Sequence, residues 1–175
     1  AYPSDGFVYW FFWNMSGPWL CNHIWEHYLF TKDVDFLKKY YPILKGSATF
    51  CSEWLIENSK GELVTPVSTS PENAYLMLDD TPASVCEGST MDIAIIRSLF
   101  SNTIEASKIL QTDRDFRSEL IKKRSKLKGY QIGSKGQLLE WDKEYKESEP
   151  QHRHVSHLFG VYPGCDITDN TPELF

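Results

Sequence analysis

Thr90-Met91-Asp92-Ile93-Ala94-Ile95-Ile96-Arg97-Ser98-Leu99-Phe100-Ser101-Asn102-Thr103-Ile104-Glu105-Ala106-Ser107-Lys108-Ile109-Leu110 is the stretch whose reading decides the fold. Its apolar residues do not keep to one stripe: Met91, Ile93, Ile95, Ile96, Leu99, Phe100, Ile104, Ile109 and Leu110 place apolar groups on more than one face. A helix that is apolar on several faces needs neighbours on several sides. Thr90 reads as its N-cap. The stretch that follows, 113–127, is different in kind. It is polar except for Phe116, Leu120 and Leu127, the pattern of an outer helix with one buried face. An inner helix followed by an outer one is a helical hairpin.

Two more helices are expected upstream. Ser16-Gly17-Pro18 supplies a start signal for 16–31, with Leu20, Ile24, Tyr28 and Leu29 at helical spacing. A second stretch opens at Asp33 or Asp35 and reaches Glu57. Its stripe runs Leu37, Tyr40, Tyr41, Leu44, Ala48, Cys51, Trp54 and Leu55, and Pro42 should kink it or mark a restart. The segment 61–88 has another character, with a possible short strand at 63–65 and turn chemistry at 68–73. A connection of this length between helices is functional or disordered, and its apolar content argues against disorder. A short helical stretch is expected around 137–145. The overall pattern is mostly α: helical hairpins with structured loops, as in a toroid of inner and outer helices. There is no short-period repeat to mark a regular solenoid.

Apolar residues make up 41% of the 175-residue chain, enough for a core, and aromatics 14%, with six Trp, nine Tyr and ten Phe. Such rings fill cores or line grooves where sugars stack. The formal net charge of -6 and the lack of a basic stripe argue against nucleic-acid binding. No apolar run approaches the roughly 18 residues that would suggest a membrane helix. Cys21, Cys51, Cys86 and Cys165 are far apart and read as scattered buried thiols. The chain opens without Met and finishes on Thr171-Pro172-Glu173, a helix start. Both ends point to a piece of a longer chain, with 1–175 a single partial domain truncated on either side.

Three constellations could carry chemistry. Ser68-Thr69-Ser70-Pro71-Glu72-Asn73 places a carboxyl on a stiff loop. Glycoside hydrolysis needs such a group to protonate the leaving oxygen, and an apolar surround would raise its pKa for that task. The alternative role is a capping or turn acid. Gln151-His152-Arg153-His154-Val155-Ser156-His157 offers directional donors for sugar hydroxyls or a carboxylate, and its H-x-H-x-x-H spacing could also hold a metal. His23-Ile24-Trp25-Glu26-His27 matches the H-x-x-E-H pattern of zinc peptidases. With only three fixed positions that match arises easily by chance, and a helix whose His and Glu bond its neighbours explains it as well. A non-catalytic domain that binds glycans through Trp and Arg is a third reading. Glu140, beside Trp141, is a reserve acid, otherwise structural.

Taken together, the motifs resemble glycoside hydrolase family 95 α-L-fucosidases. They are Gly17-Pro18-Trp19-Leu20-Cys21-Asn22-His23-Ile24-Trp25-Glu26-His27, Ser68 to Asn73, Gly88-Ser89-Thr90-Met91-Asp92, Gly136-Gln137-Leu138-Leu139-Glu140-Trp141, and His152-Arg153-His154-Val155-Ser156-His157-Leu158-Phe159-Gly160. The resemblance covers nearly the whole chain in order. It implies part of an (α/α)6 barrel and hydrolysis of α-L-fucosides, typically α-1,2-linked, with inversion. It implies no metal or organic cofactor, a fucosylated glycan as substrate, and a secreted or periplasmic setting. Glu72 corresponds to the general acid. Arg153 and His154 match positions that touch the sugar, and Trp19 is carried over with them. The family handles its attacking water with an Asn-x-Asn segment and a Gln-Ile-Asp-Gly-Asn segment, and neither occurs here. By the family's order they lie upstream of Ala1 and downstream of Phe175, within the remainder of the parent domain. The chain by itself is therefore expected to be inactive. Some relatives prefer L-galactosides.

Overall fold

A computed structural model describes residues 8–174. Among them four α-helices dominate: α1 (Ser16–Thr31), α2 (Val34–Trp54), α3 (Thr90–Ile109) and α4 (Arg114–Lys126). α3 packs against α1, α2 and α4 together and against the 3-10 helix Ser156–Gly160. Its buried residues are Asp92, Ile93, Ala94, Ile95, Ile96, Leu99, Phe100, Thr103, Ile104, Ala106 and Ser107, which cover a broad face of the helix, while Glu105 and Lys108 are exposed. In α4 the buried residue is Leu120. The inner and outer assignments drawn from their apolar patterns therefore hold.

Local chemistry explains most boundaries. Asp33 is the N-cap of α2, its carboxylate accepting from the Phe36 amide at 2.9 Å. Lys32 turns left-handed (φ 55°) between α1 and α2 and closes the last turn of α1 through its amide to the Tyr28 carbonyl. The cap of α3 is Ser89, one residue before the expected Thr90, because Ser89 is still extended (φ -54°, ψ 148°) while its hydroxyl accepts from the Asp92 amide. Pro42 does not restart α2, which runs on through it. Lys38 and Pro42 are both exposed, and Pro42 has no N–H to offer the Lys38 carbonyl.

Other expectations are corrected. Leu20 and Leu29 lie on the outside of α1, 53% and 43% exposed, while Pro18, Cys21 and Tyr28 face the core. Cys21 and Cys51 are buried, but Cys86 is only half-buried and Cys165 is exposed. Residues 137–145 are not helical. Ile132 and Leu138 bridge instead, and the chain then forms β5 (Lys146–Glu147). Gly136 sits at φ 80° in the turn of that bridge. Among the described residues no helix is long and apolar enough to cross a membrane.

The long connection between α2 and α3 is a set of short antiparallel pairings. β1 (Ile56–Glu57) pairs with β2 (Leu63–Val64). β3 (Tyr75–Leu76) pairs with both β4 (Pro82–Ala83) and β5, in the order β4-β3-β5. Tyr75 and Trp141 meet edge to face at 4.9 Å, and Tyr75 stacks on Tyr145 at 4.0 Å. The segment 152–160 is seated by close approach: a Cβ on Gly160 would collide with the Tyr130 hydroxyl. That hydroxyl donates to Asp166 at 3.1 Å, and Arg97 of α3 pairs with the same carboxylate at 3.5 Å.

The loop 65–73 is tied to the core by a buried polar network. Ser68 donates to the Asp92 carboxylate, accepts from the Ser89 amide at 3.0 Å and lies 2.7 Å from the Ser89 hydroxyl. The Trp13 indole donates to the other Asp92 oxygen at 3.1 Å. Burial pushes the Asp92 carboxyl up to about 7, with the hydrogen bonds from Ser68 and Trp13 opposing. A carboxyl whose folded pKa lies above its unfolded value binds its proton more tightly when folded. Its stabilising effect is greatest below its unfolded pKa of about 4 and is lost as pH rises through its folded value. Asp92→Asn, which cannot ionise, should therefore reduce the fall in melting temperature between about pH 5 and about pH 8. An undiminished fall would mean that Asp92 does not titrate in the folded chain.

Candidate active site

Ser70-Pro71-Glu72-Asn73 is a β-turn closed by the Asn73 amide donating to the Ser70 carbonyl at 3.2 Å. Pro71 occupies the first central position, where its fixed φ is already correct. Glu72 occupies the second with φ 57°, the left-handed sign of a type II turn. Glycine or asparagine normally fills that position, and a left-handed L-residue costs on the order of 1–2 kcal/mol. A glutamate held there is a local strain of the kind that gathers at functional sites.

The turn sets the Glu72 carboxylate against the segment 152–160. One oxygen, Oε2, accepts from both Arg153 Nη2 and His154 Nε2, the latter at 2.9 Å. Sequence reasoning singled out these three side chains in two segments, and the fold brings them together. The expected electrostatics are reversed, however. Glu72 is 34% exposed and has no apolar enclosure. The His154 and Arg153 hydrogen bonds hold its carboxyl below the usual carboxylate range, against a smaller opposing desolvation.

Trp19 is not brought to this cluster by any contact among the described residues. It packs against the helical core from α1, and its ring meets His23 edge to face at 5.7 Å. His27, the last residue of the H-x-x-E-H match, stacks on Phe36 of α2 at 3.8 Å. The three histidines of H-x-H-x-x-H diverge. His152 Nδ1 meets Glu149 at 3.1 Å, His154 meets Glu72, and His157 Nδ1 lies 3.7 Å from Glu140. Among the described residues no three His, Cys, Asp or Glu side chains converge as a metal set.

Behind Glu72 lies a small cavity of about 110 Å³ lined by Asn73, Glu140, Trp141, His152, His154 and His157 among others. Glu140, kept only in reserve at the level of sequence, is central to it. Both its oxygens lie 3.0 Å from Asn73 Nδ2, and Ser70 donates to Oε1. Sequence reasoning missed Asp92 and the Ser68–Ser89 pair. The signal available for them was Ser89-Thr90-Met91-Asp92, a cap residue with an acid three positions on, but nothing local to it indicated Ser68 as the partner.

Comparison with known proteins gives this arrangement a context. The chain is 45% identical to Alpha-L-fucosidase 2 of Arabidopsis thaliana over 98% of its own length and 21% of that protein. It is 31% identical to Probable alpha-fucosidase A of Aspergillus niger over 87% of this chain and 19% of the relative. For Probable alpha-fucosidase A of Aspergillus oryzae the figures are 32% identity, 72% and 17%. The chain thus spans about a fifth of the length of these relatives. Residues 1–175 match the glycosyl hydrolase family 95 catalytic domain throughout. The strained Glu72 turn and its Arg153–His154 partners therefore sit in a chain that belongs to the glycosyl hydrolase family 95 catalytic domain family.

Proposed function

We propose that this chain forms part of an (α/α)6-barrel catalytic domain that hydrolyses α-L-fucosides, α-1,2-linked, with inversion, and that Glu72 is its general acid. The observation that carries this reading is a carboxylate on a strained, proline-stiffened turn, met by a guanidinium and an imidazole, in a family 95 chain. Its substrate is a fucosylated glycan, and Arg153 and His154 are its contacts to the sugar. The remainder of the parent domain is the partner that completes the site.

The reaction breaks the bond between the anomeric carbon and the leaving oxygen. Glu72 gives its proton to that oxygen as water adds to the anomeric carbon from the opposite face. The base that takes a proton from the water is supplied from outside residues 1–175. In the free chain Arg153 and His154 favour the ionised, wrong form of Glu72. Sugar hydroxyls that accept from those two donors would loosen their hold, and exclusion of water would favour the protonated carboxyl further. Coupling sugar binding to protonation in this way arms the acid only when substrate is present.

Three outcomes test this reading in protein of the full length of the relatives. Glu72→Gln should lower turnover of fucosides with poor leaving groups by about 10²-fold or more. Near-normal rates would sink the assignment. Glu72→Gly should be equally inactive yet melt no lower than the parent, since glycine adopts the left-handed turn without strain; a large drop in melting temperature would make Glu72 a structural residue. Arg153→Leu should move the alkaline limb of kcat/KM to higher pH, because removing a charge that lowers an acid's pKa keeps it protonated longer. A limb that stays in place or moves to lower pH assigns it to another group.

A further inference from the structure

The turn that carries Glu72 is held from behind by one carboxylate. Glu140 accepts from Ser70, the first residue of the turn, and from Asn73, the last. Ser70 and Asn73 are buried, and the Glu140 side chain is 15% exposed. Glu140 therefore bridges both ends of the turn through two buried side chains, while Glu72 reaches Arg153 and His154.

Glu140 is itself fixed. Its carbonyl accepts from the Thr90 amide at 3.0 Å, at the start of α3. The neighbouring Leu139 amide donates to Gln131 at 2.8 Å. On its other side Trp141 is buried against Tyr75, which opens β3 two residues after Asn73. The turn is thus clamped at Ser70 and Asn73 by Glu140, and just beyond by the Trp141 ring.

A carboxylate suits this place better than an amide. An ionised Glu only accepts and offers about four lone-pair positions. Ser70, Asn73 and, at 3.7 Å, His157 all direct donors or potential donors toward it. A glutamine would keep one acceptor and turn a second donor against Asn73 or His157. A shorter or truncated side chain would leave Asn73 and Ser70 buried without partners, at a cost of about 1–3 kcal/mol for each group.

We propose that Glu140 is a positioning residue: by bonding Ser70 and Asn73 it holds the Glu72 turn in the geometry needed to deliver a proton to the leaving oxygen. This rests on the reading of Glu72 as the general acid.

The test compares two substrates on protein of the full length of the relatives: a fucosylated oligosaccharide, whose leaving group needs protonation, and α-L-fucosyl fluoride, whose leaving group does not. Misplacing a reacting group by about 1 Å costs on the order of 10²-fold. Glu140→Ala should therefore lower kcat on the oligosaccharide by about that factor, with KM little changed and turnover of the fluoride within about threefold. Glu140→Gln, which keeps the Ser70 bond, should recover about tenfold of the loss. If Glu140→Ala does not fold, Ser70→Ala reads the same bridge from its other end and should show the same leaving-group dependence at smaller size. Equal losses on both substrates, or none, would overturn the proposal. Glu72→Gln on the same pair separates the two ideas. If it shows strong leaving-group dependence and the Glu140 variants do not, only the positioning role falls. If it shows none, the general-acid reading falls and this inference with it.

Discussion

A helix packed against several neighbours at once must bury whatever polar group lies on its inner face. α3 is in that position. Its apolar residues meet α1, α2 and α4, so the Asp92 carboxylate in its first turn is buried with them. A buried carboxyl without partners is costly. Ser68 and Trp13 meet that need, and in doing so they fasten the loop before Glu72 and the segment before α1 to the start of the inner helix. The constraint that builds the core is thus the one that starts to build the site.

From that anchor the loop is fixed in steps. Ser68 is tied to Asp92, Thr69 donates to the Phe12 carbonyl at 2.8 Å, and Ser70 and Asn73 are tied to Glu140. Consecutive hydroxyl residues with short side chains can do this because each reaches a buried acceptor without drawing the backbone out of place. The product is a rigid support beneath one strained residue. Glu72 can be held in the left-handed region because its neighbours on both sides are over-determined. The carboxylates divide by surroundings: Asp92 is desolvated, Glu140 accepts from Ser70 and Asn73, and Glu72 is partly open and paired with Arg153 and His154.

Much of this was legible before folding. The all-round apolar pattern of 90–110 and the single face of 113–127 mark inner and outer helices because burial acts on periodicity, which sequence displays directly. Pro71 before Glu72 reads as a stiff turn for a similar local reason. Other elements resisted. Leu20 and Leu29 are at helical spacing yet face outward, because which stripe of α1 is buried depends on where α2 and α3 lie. The helix expected near 137–145 gives way to a bridge and to β5, since Leu138 pairs with Ile132, β5 pairs with distant β3, and Tyr145 stacks on Tyr75.

The sequence by itself determined the helical class, the limits of α1, α3 and α4 to within a residue or two, and the candidates Glu72, Arg153 and His154. The class and the helix limits follow from propensity, capping and periodicity, which act over a few residues; the three side chains were marked by the chemistry of their short motifs and by the family resemblance. Only the tertiary structure decided that Arg153 and His154 both bond Glu72, that they lower rather than raise its pKa, that Trp19 stays with the core, and that Glu140 braces the turn. Each of these is a contact between residues far apart in the chain, or an electrostatic result of one. The sign of a pKa shift depends on which charge lies beside a group and how much water remains, and neither is set until the chain has closed on itself.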